Sequence, residues 1–307
     1  MVPGMTHSMR PMIKWMMGAL AGLILTGRLW GAALVFQTDF GLKDGAVSAM
    51  KGVAFGVDPN LHQFDLTHEI PAFNVWEAAF RLKQTVQYWP AGTVFVNVVD
   101  PGVGTERRAI VAKTRGGHYI VTPDNGTLTF LAETPGLEEV RVIDIARQRL
   151  KGSEESYTFH GRDLFAYVGA RIAAGKLEFR DCGVRMTNDV VRLPYEHARR
   201  DGNRLIGTIP VLDVQYGNVW SNLPKRLFQE LNPKVGESFV VRIGRGGRVV
   251  WEGRVPYGET FGAVPPGKPV LFLNSLLEVA VALNQDSFAA VNQVASGADW
   301  TFEVSRP

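Results

Sequence analysis

Val98-Val99-Asp100-Pro101-Gly102-Val103-Gly104-Thr105-Glu106-Arg107-Arg108 joins two apolar runs, residues 93–98 before it and 109–113 after it. Both runs read as buried strands. Asp100 therefore stands where a strand ends, in a turn where Pro101 fixes φ and Gly102 and Gly104 are free to take positive φ. Arg107 follows seven residues later and sets an opposite charge on the other arm of what reads as one tight loop. Such a pair is either a structural ion pair or a charged pair with chemistry to perform, and the loop alone leaves both open.

Outward from this loop, strands alternate with helices. Residues 34–37 form an apolar strand ending in Thr38-Asp39-Phe40-Gly41, and residues 45–57 a helix closed by Asp58-Pro59. A short strand at 63–66 ends in Asp65-Leu66-Thr67-His68. Asn74 with Glu77 three residues on marks a helix start, after which Val75, Ala78, Ala79, Leu82 and Val86 share one face. A strand at 119–122 runs into Pro123-Asp124-Asn125-Gly126. In α/β sheets of this kind ligands gather at the carboxyl ends of strands. Four such ends carry an acid, Asp39, Asp65, Asp100 and Asp124, and the set suggests a site, although Asp124-Asn125-Gly126 is equally good turn chemistry.

Further on, Ser156-Tyr157-Thr158-Phe159-His160-Gly161-Arg162-Asp163 precedes a helix over residues 164–174. A helix N-terminus favours the neutral form of His160, the form that suits a base or relay, but a cap residue would look the same. The polar stretch 194–203 marks a domain boundary, and β-rich segments follow at 205–214, 238–243, 249–251, 270–273 and 300–304. Gly244-Arg245-Gly246-Gly247 lies between two strands and precedes no helix, so it is a hairpin turn and not a phosphate loop. In Asp213-Val214-Gln215-Tyr216-Gly217-Asn218-Val219-Trp220, alternate residues Tyr216, Asn218 and Trp220 can share one strand face. Aromatics with an amide suit a flat heteroaromatic base and Asp213 suits an ammonium group, although a half-buried strand would read alike.

The chain of 307 residues is 46% apolar and 21% charged, long enough for two domains. Its net charge of +3 is dispersed, which argues against nucleic acid as a partner. One cysteine, Cys182, excludes an intrachain disulfide, and the histidines show no metal-ligand spacing. Arg10 and Lys14 precede an apolar run over residues 15–27, with small residues at Gly31-Ala32-Ala33. That is the layout of a secretory signal peptide over residues 1–33, implying export to the periplasm or beyond and no stable membrane span in the mature chain. A misassigned start, with a cytoplasmic protein, is the alternative.

Together these motifs resemble the S-adenosyl-L-methionine (SAM) hydrolases, or SAM hydroxide adenosyltransferases, relatives of the SAM-dependent fluorinase and chlorinase. The segments carrying the likeness are Thr38–Gly41, Asp65–Pro71, Val99–Arg108, Pro123–Gly126, Phe159–Asp163 and Asp213–Asn222. The resemblance implies an N-terminal α/β domain with a central mixed sheet (34–195), a C-terminal all-β domain (203–307), and trimers with active sites between subunits. It implies hydrolysis of SAM to adenosine and L-methionine, with no cofactor. By position, Asp100, Arg107 and His160 match a water-activating triad and Asp39 the residue that holds the ribose hydroxyls. Asp44, Asp213 and the Asn274-Ser275…Glu278 segment match methionine-binding positions, and Phe73, Tyr216, Asn218 and Trp220 those around sugar and adenine. The halogenases carry tyrosine and serine where this chain has Asp100 and His160, which favours the hydrolase branch. An exported nucleoside-binding protein without turnover is the remaining alternative. The segment from Asn274 to Glu278 is two residues shorter than the family's usual Asn-Ser-x-Gly-x-Leu-Glu. Alanine at His160 or Asp100 is expected to leave the fold intact and remove most turnover.

Overall fold

The computed structural model describes Met1 and residues 32–187 and 189–307. The proposed signal sequence falls on residues 2–31 almost entirely and so lies outside the described residues. No helix among the described residues is long and apolar enough to cross a membrane.

The first half of the described chain builds one seven-stranded sheet from β1 (Leu34–Thr38), β2 (Gln63–Thr67), β3 (Val94–Val98), β4 (Ala109–Thr114), β5 (Tyr119–Pro123), β6 (Leu137–Ile143) and β7 (Gly183–Arg185). Their spatial order is β2-β1-β3-β5-β4-β6-β7. The first four strands in that order run parallel, and β4, β6 and β7 are joined antiparallel. β1 and β3 are buried at every position, as parallel strands covered on both faces must be. Helix α1 (Ala46–Val57) and the segment Gly161–Ala173 cover one face, where Met50, Ala54, Leu164 and Val168 pack on Leu34, Phe36, Val94 and Val96. Helix α2 (Val75–Val86) covers the other, with Leu82 and Val86 against Val35, Phe95 and Ile120. Alternation along each strand sends successive side chains to these two layers.

β1 is flanked by β2 on one side and β3 on the other, and helices on opposite faces make the two crossovers. The crevice outside the carboxyl ends of β1 and β3 is therefore a topological switch point. Because β2, β1, β3 and β5 are parallel, Asp39, Asp100 and Asp124 all emerge at this edge, whereas Asp65, expected at a strand end, lies inside β2 level with Phe36 of β1.

Two antiparallel sheets follow. One is ordered β10 (Val211–Asp213), β11 (Asn218–Pro224), β15 (Glu278–Leu283), β14 (Pro269–Leu273). The other is ordered β13 (Arg248–Pro256), β12 (Ser238–Arg245), β16 (Gly297–Ser305), β9 (Arg204–Ile209), β8 (Arg199–Asp201). Leu205, Val219, Phe239, Val241, Val281 and Phe302 fill the space between them. The opposite face of the four-stranded sheet, with Trp220, Phe272 and Ala280, packs on Trp76, Ala79 and Phe80 of α2.

Several elements differ from the sequence expectation. Helix α2 has two buried faces, not one, because it is shared between the seven-stranded and four-stranded sheets. The strand expected over 205–214 is two strands in different sheets, broken at Pro210, which has no N–H for a ladder. The helix expected from 164 begins at Gly161 as a π-helical turn and becomes α-helical at Tyr167. β6, β7, β8 and β15 have no counterpart among the strands the sequence predicts, and β8 falls in the stretch expected to be irregular. The glycine-rich hairpin is where the pattern puts it, with Arg245 facing Arg248 and Gly246 and Gly247 at φ +55° and +80°.

Candidate active site

The 99–108 loop is wider than a tight turn between neighbours. β5 lies between β3 and β4, so the loop crosses over the end of β5, where the side-chain amide of Asn125 donates to the Val99 carbonyl at 2.8 Å. Val103 N–H donates to the Asp100 carbonyl and Thr105 N–H to that of Gly102, giving two successive turns. Of the two glycines only Gly104 takes positive φ, +77°, and a Cβ there would lie 3.0 Å from the Tyr157 carbonyl oxygen. The loop is thereby wedged against the strap that leads to His160.

This folding brings Asp100 and Arg107 together as a bidentate pair. Arg107 Nε donates to Asp100 Oδ1 at 2.9 Å and Nη2 to Oδ2 at 2.5 Å, with both side chains less than a tenth exposed. The same Nη2 lies 2.9 Å from His160 Nδ1. A guanidinium only donates, so Nδ1 is the acceptor and the neutral imidazole carries its proton on Nε2. The guanidinium also lies over the Phe165 ring, 5.2 Å from its centre. His160 is held below its ordinary pKa of 6.5, first by burial and then by the charges of Arg107 and Arg149, with Asp100 and Asp163 opposing. The expectation named the helix terminus as the cause of neutrality, but burial leads.

Asp39, Phe40, Phe73, Val98, Asp100, Val103, Phe159 and His160 line one cavity of about 250 Å³. Asp39 Oδ2 accepts the Phe73 N–H at 2.8 Å, which holds Phe73 at φ +66° with its ring largely exposed. Asp65 does not reach this cavity. It accepts from Lys51 at 2.6 Å and from His68 Nε2 at 2.9 Å, while Thr38 Oγ1 lies 2.8 Å from His68 Nδ1. Asp124 is absorbed by Arg108 and by the Val191 N–H at 2.8 Å, so it ties down the chain leaving the sheet. Two of the four acids expected at strand ends are thus bound up in scaffold contacts.

The other residues singled out lie elsewhere. Asp44 is exposed and accepts the Ala46 N–H at the start of α1. Tyr216 sits in the turn before β11, so it does not share a strand face with Asn218; both line a separate cavity of about 480 Å³ with Phe261, Leu283 and Ser287. Asp213 Oδ2 accepts from Asn218 Nδ2 at 3.2 Å. Trp220 is buried under α2. Ser275 is exposed on the loop before β15, and Glu278 bonds Lys83 of α2 at 2.7 Å in a third cavity. Among the described residues no group of three His, Cys, Asp or Glu side chains is placed to hold a metal ion. Sequence reasoning missed Arg149, which closes the strap before His160; no motif marks it.

The fold and this site define an α/β protein with an acid–guanidinium–imidazole centre at the switch point of its sheet and a second part of two antiparallel sheets, with the short helices Lys225–Gln229 and Phe288–Asn292 connecting strands. Family models for the SAM hydroxide adenosyltransferase N-terminal and C-terminal domains match residues 34–183 and 207–301. The chain belongs to the SAM hydroxide adenosyltransferase family. It is 36% identical over 253 residues, 81% of this chain and 89% of the relative, to the (R)-S-adenosyl-L-methionine hydrolase of Salinispora tropica. More distantly, it is 27% identical over 281 residues, 83% of this chain and 91% of the relative, to the fluorinase of Nocardia brasiliensis. An uncharacterized conserved protein from Thermotoga maritima of known crystal structure superposes with a TM-score of 0.82 at 35% identity, covering 89% of this chain and all of the other.

Proposed function

We propose that this chain hydrolyses S-adenosyl-L-methionine to adenosine and L-methionine, water-derived oxygen attacking the ribose 5′ carbon. The observation that carries this reading is the Asp100–Arg107–His160 centre, of which Asp100 and His160 line the cavity that also holds Asp39, with Arg107 bonded to both behind them. The new O–C5′ bond forms as the C5′–S pair leaves on sulfur, so a cationic sulfonium becomes a neutral thioether and no general acid is required. The proton that the attacking water loses passes to the Asp100 carboxylate and from there to solvent. Free water is a very weak acid, so the nucleophile needs donors that stabilise developing hydroxide. Arg107 and the Nε2–H of His160 are such donors, and Asp100 is the ionised acceptor of the three. In this reading His160 orients and stabilises the nucleophile and is not the base. Asp39 is the carboxylate suited to a ribose diol.

The separation of the two cavities supports a site completed by a second copy of the chain. Among the described residues none lines both, and each cavity carries an exposed aromatic, Phe73 on one and Tyr216 on the other. A homotrimer in which the Tyr216–Asn218 cavity of one subunit faces the Asp39–Asp100 cavity of the next accounts for both. Export accompanies this reading on the strength of the N-terminal pattern, and fractionation of expressing cells with sequencing of the mature N-terminus checks it.

The test is to incubate the full chain with each sulfonium epimer of SAM, with and without added halide, and to analyse products chromatographically. The relative's name specifies the R epimer, and that is the epimer expected to give adenosine at a rate indifferent to halide. A 5′-halo product would replace the hydrolase with a halogenase, which the Asp100 carboxylate beside the cavity disfavours by repulsion. Stoichiometric adenosine binding without turnover would make the chain a binding protein.

A further inference from the structure

The segment that carries His160 into the cavity is not held by regular structure. Residues 149–159 leave the short helix Ile145–Gln148 and reach the π-helical turn at Gly161 with no strand or helix between. One side chain closes the segment on itself. Arg149 Nε donates to Ser153 Oγ at 3.0 Å, and Nη2 donates to the Ser156 carbonyl. Ser153 Oγ in turn donates to the Leu150 carbonyl at 2.6 Å, and the Leu150 N–H donates to the carbonyl of Asp163 at 2.8 Å. The far end of the strap, at Tyr157, abuts Gly104 of the catalytic loop, and the next three residues, Thr158, Phe159 and His160, line the cavity. The Arg149 side chain is 11% exposed, too buried to be a solvated surface charge.

We infer that Arg149 is a positioning residue for the centre: its guanidinium staples residues 153–156 so that the strap presents Thr158, Phe159 and His160 at fixed places in the cavity wall. This rests on the hydrolase reading for its catalytic consequence, though not for its structural one. A guanidinium fork reaches a hydroxyl and a carbonyl at once, which an ammonium does not do with the same geometry. A second effect is electrostatic. Arg107 and Asp100 from the loop, Arg149 and Asp163 beside the strap, and Asp39 across the cavity are the charged groups around the imidazole, with Asp163 engaged by Arg162 and its Oδ2 4.0 Å from Arg149 Nη2. Arg149 adds to Arg107 in favouring the neutral ring, the form that accepts the Arg107 bond at Nδ1.

The experiment compares R149Q and R149K in the full chain, following the His160 ring nitrogens by NMR across pH and measuring kcat and KM. R149Q is expected to titrate His160 at higher pH than the parent and to lower kcat roughly tenfold with a smaller change in KM. R149K keeps the cation, so the His160 titration stays at the parent value while kcat remains lowered, because the fork is lost. An unchanged His160 titration in folded R149Q, or kcat within about twofold of the parent in R149K, overturns the assignment. If R149Q does not accumulate, R149K decides the staple alone. Absence of turnover in the parent chain would instead sink the hydrolase reading, and the NMR titration would still report on Arg149.

Discussion

Arg107 bonds both other members of the centre, so substitutions there and at its neighbours have separable signatures. Arg107→Lys removes the fork that reaches Asp100 and His160 together, and kcat is expected to fall on the order of 100-fold with KM little changed. Asp100→Ala, expected to leave the fold intact, is expected also to lower its stability. It would leave a nearly buried guanidinium without its anion, at a cost of about 3–5 kcal/mol in a denaturant melt. Asp100→Asn keeps an acceptor and the shape, and is the variant in which activity loss can be read without collapse. Because His160 is held below 6.5, kcat/KM should rise with pH through an apparent value below that and then level off. Stability follows the same sign. The unfolded chain takes up the proton first as pH falls, so the contribution is intact above about 6.5 and is lost as pH falls through the lowered folded value. Urea melts of the parent and of His160→Gln at neutral and mildly acidic pH check this, since the variant should lose that slope.

At the scale of elements, α2 carries more of the architecture than its amphipathic pattern announces. Asn74 Oδ1 accepts the Glu77 N–H at 3.0 Å, and removing that cap as Asn74→Ala should cost about 1 kcal/mol. Its second face is set by Trp76 and Phe80, and Trp76 Nε1 also donates to the Pro210 carbonyl at 2.7 Å. Phe80→Ala, emptying a fully buried site between α2, Phe130 and the four-stranded sheet, should destabilise by roughly 3–5 kcal/mol, measured by thermal or urea unfolding. Such a loss would exceed the effect of the cap because it opens a cavity shared by two sheets. The π-helical turn at Gly161 begins where the backbone has little room. A Cβ on Gly161 would lie 3.2 Å from the Phe40 ring, so the backbone approaches the cavity wall closely where His160 leaves it.

For the whole molecule, the decisive experiment concerns the proposed site between copies. A chain with His160→Gln and a chain with Asn218→Ala are each expected to be nearly inactive alone. Co-expressed, they should regain activity if one subunit's Asp100 cavity works with the next subunit's Asn218 cavity, because some sites then hold two intact halves. No recovery in verified mixed oligomers would return the site to a single chain. Sedimentation of the parent chain gives the copy number independently. The half-buried Lys83–Glu278 pair, by contrast, lies at the α2 side of the four-stranded sheet, where its 2.7 Å bond links the two parts of one chain.

Much was determined by the sequence itself. The strand ends at Asp39 and Asp100, the cap at Asn74, the hairpin at Gly246-Gly247 and the mixed α/β class are local matters of periodicity and turn chemistry. Short-range sterics and hydrogen bonds decide them, and they are written in neighbouring residues. Only tertiary structure decided which acids serve the cavity. Asp65 and Asp124 carry the same local signature as Asp39 and Asp100, but partners distant in sequence, Lys51 and Arg108 with the Val191 backbone, claim them. The double-faced burial of α2, the break at Pro210 between two sheets, the tautomer imposed on His160 and the stapling by Arg149 likewise depend on groups that strand order brings together. Spacing along the chain does not encode those meetings, because they are set by which faces must be buried against which.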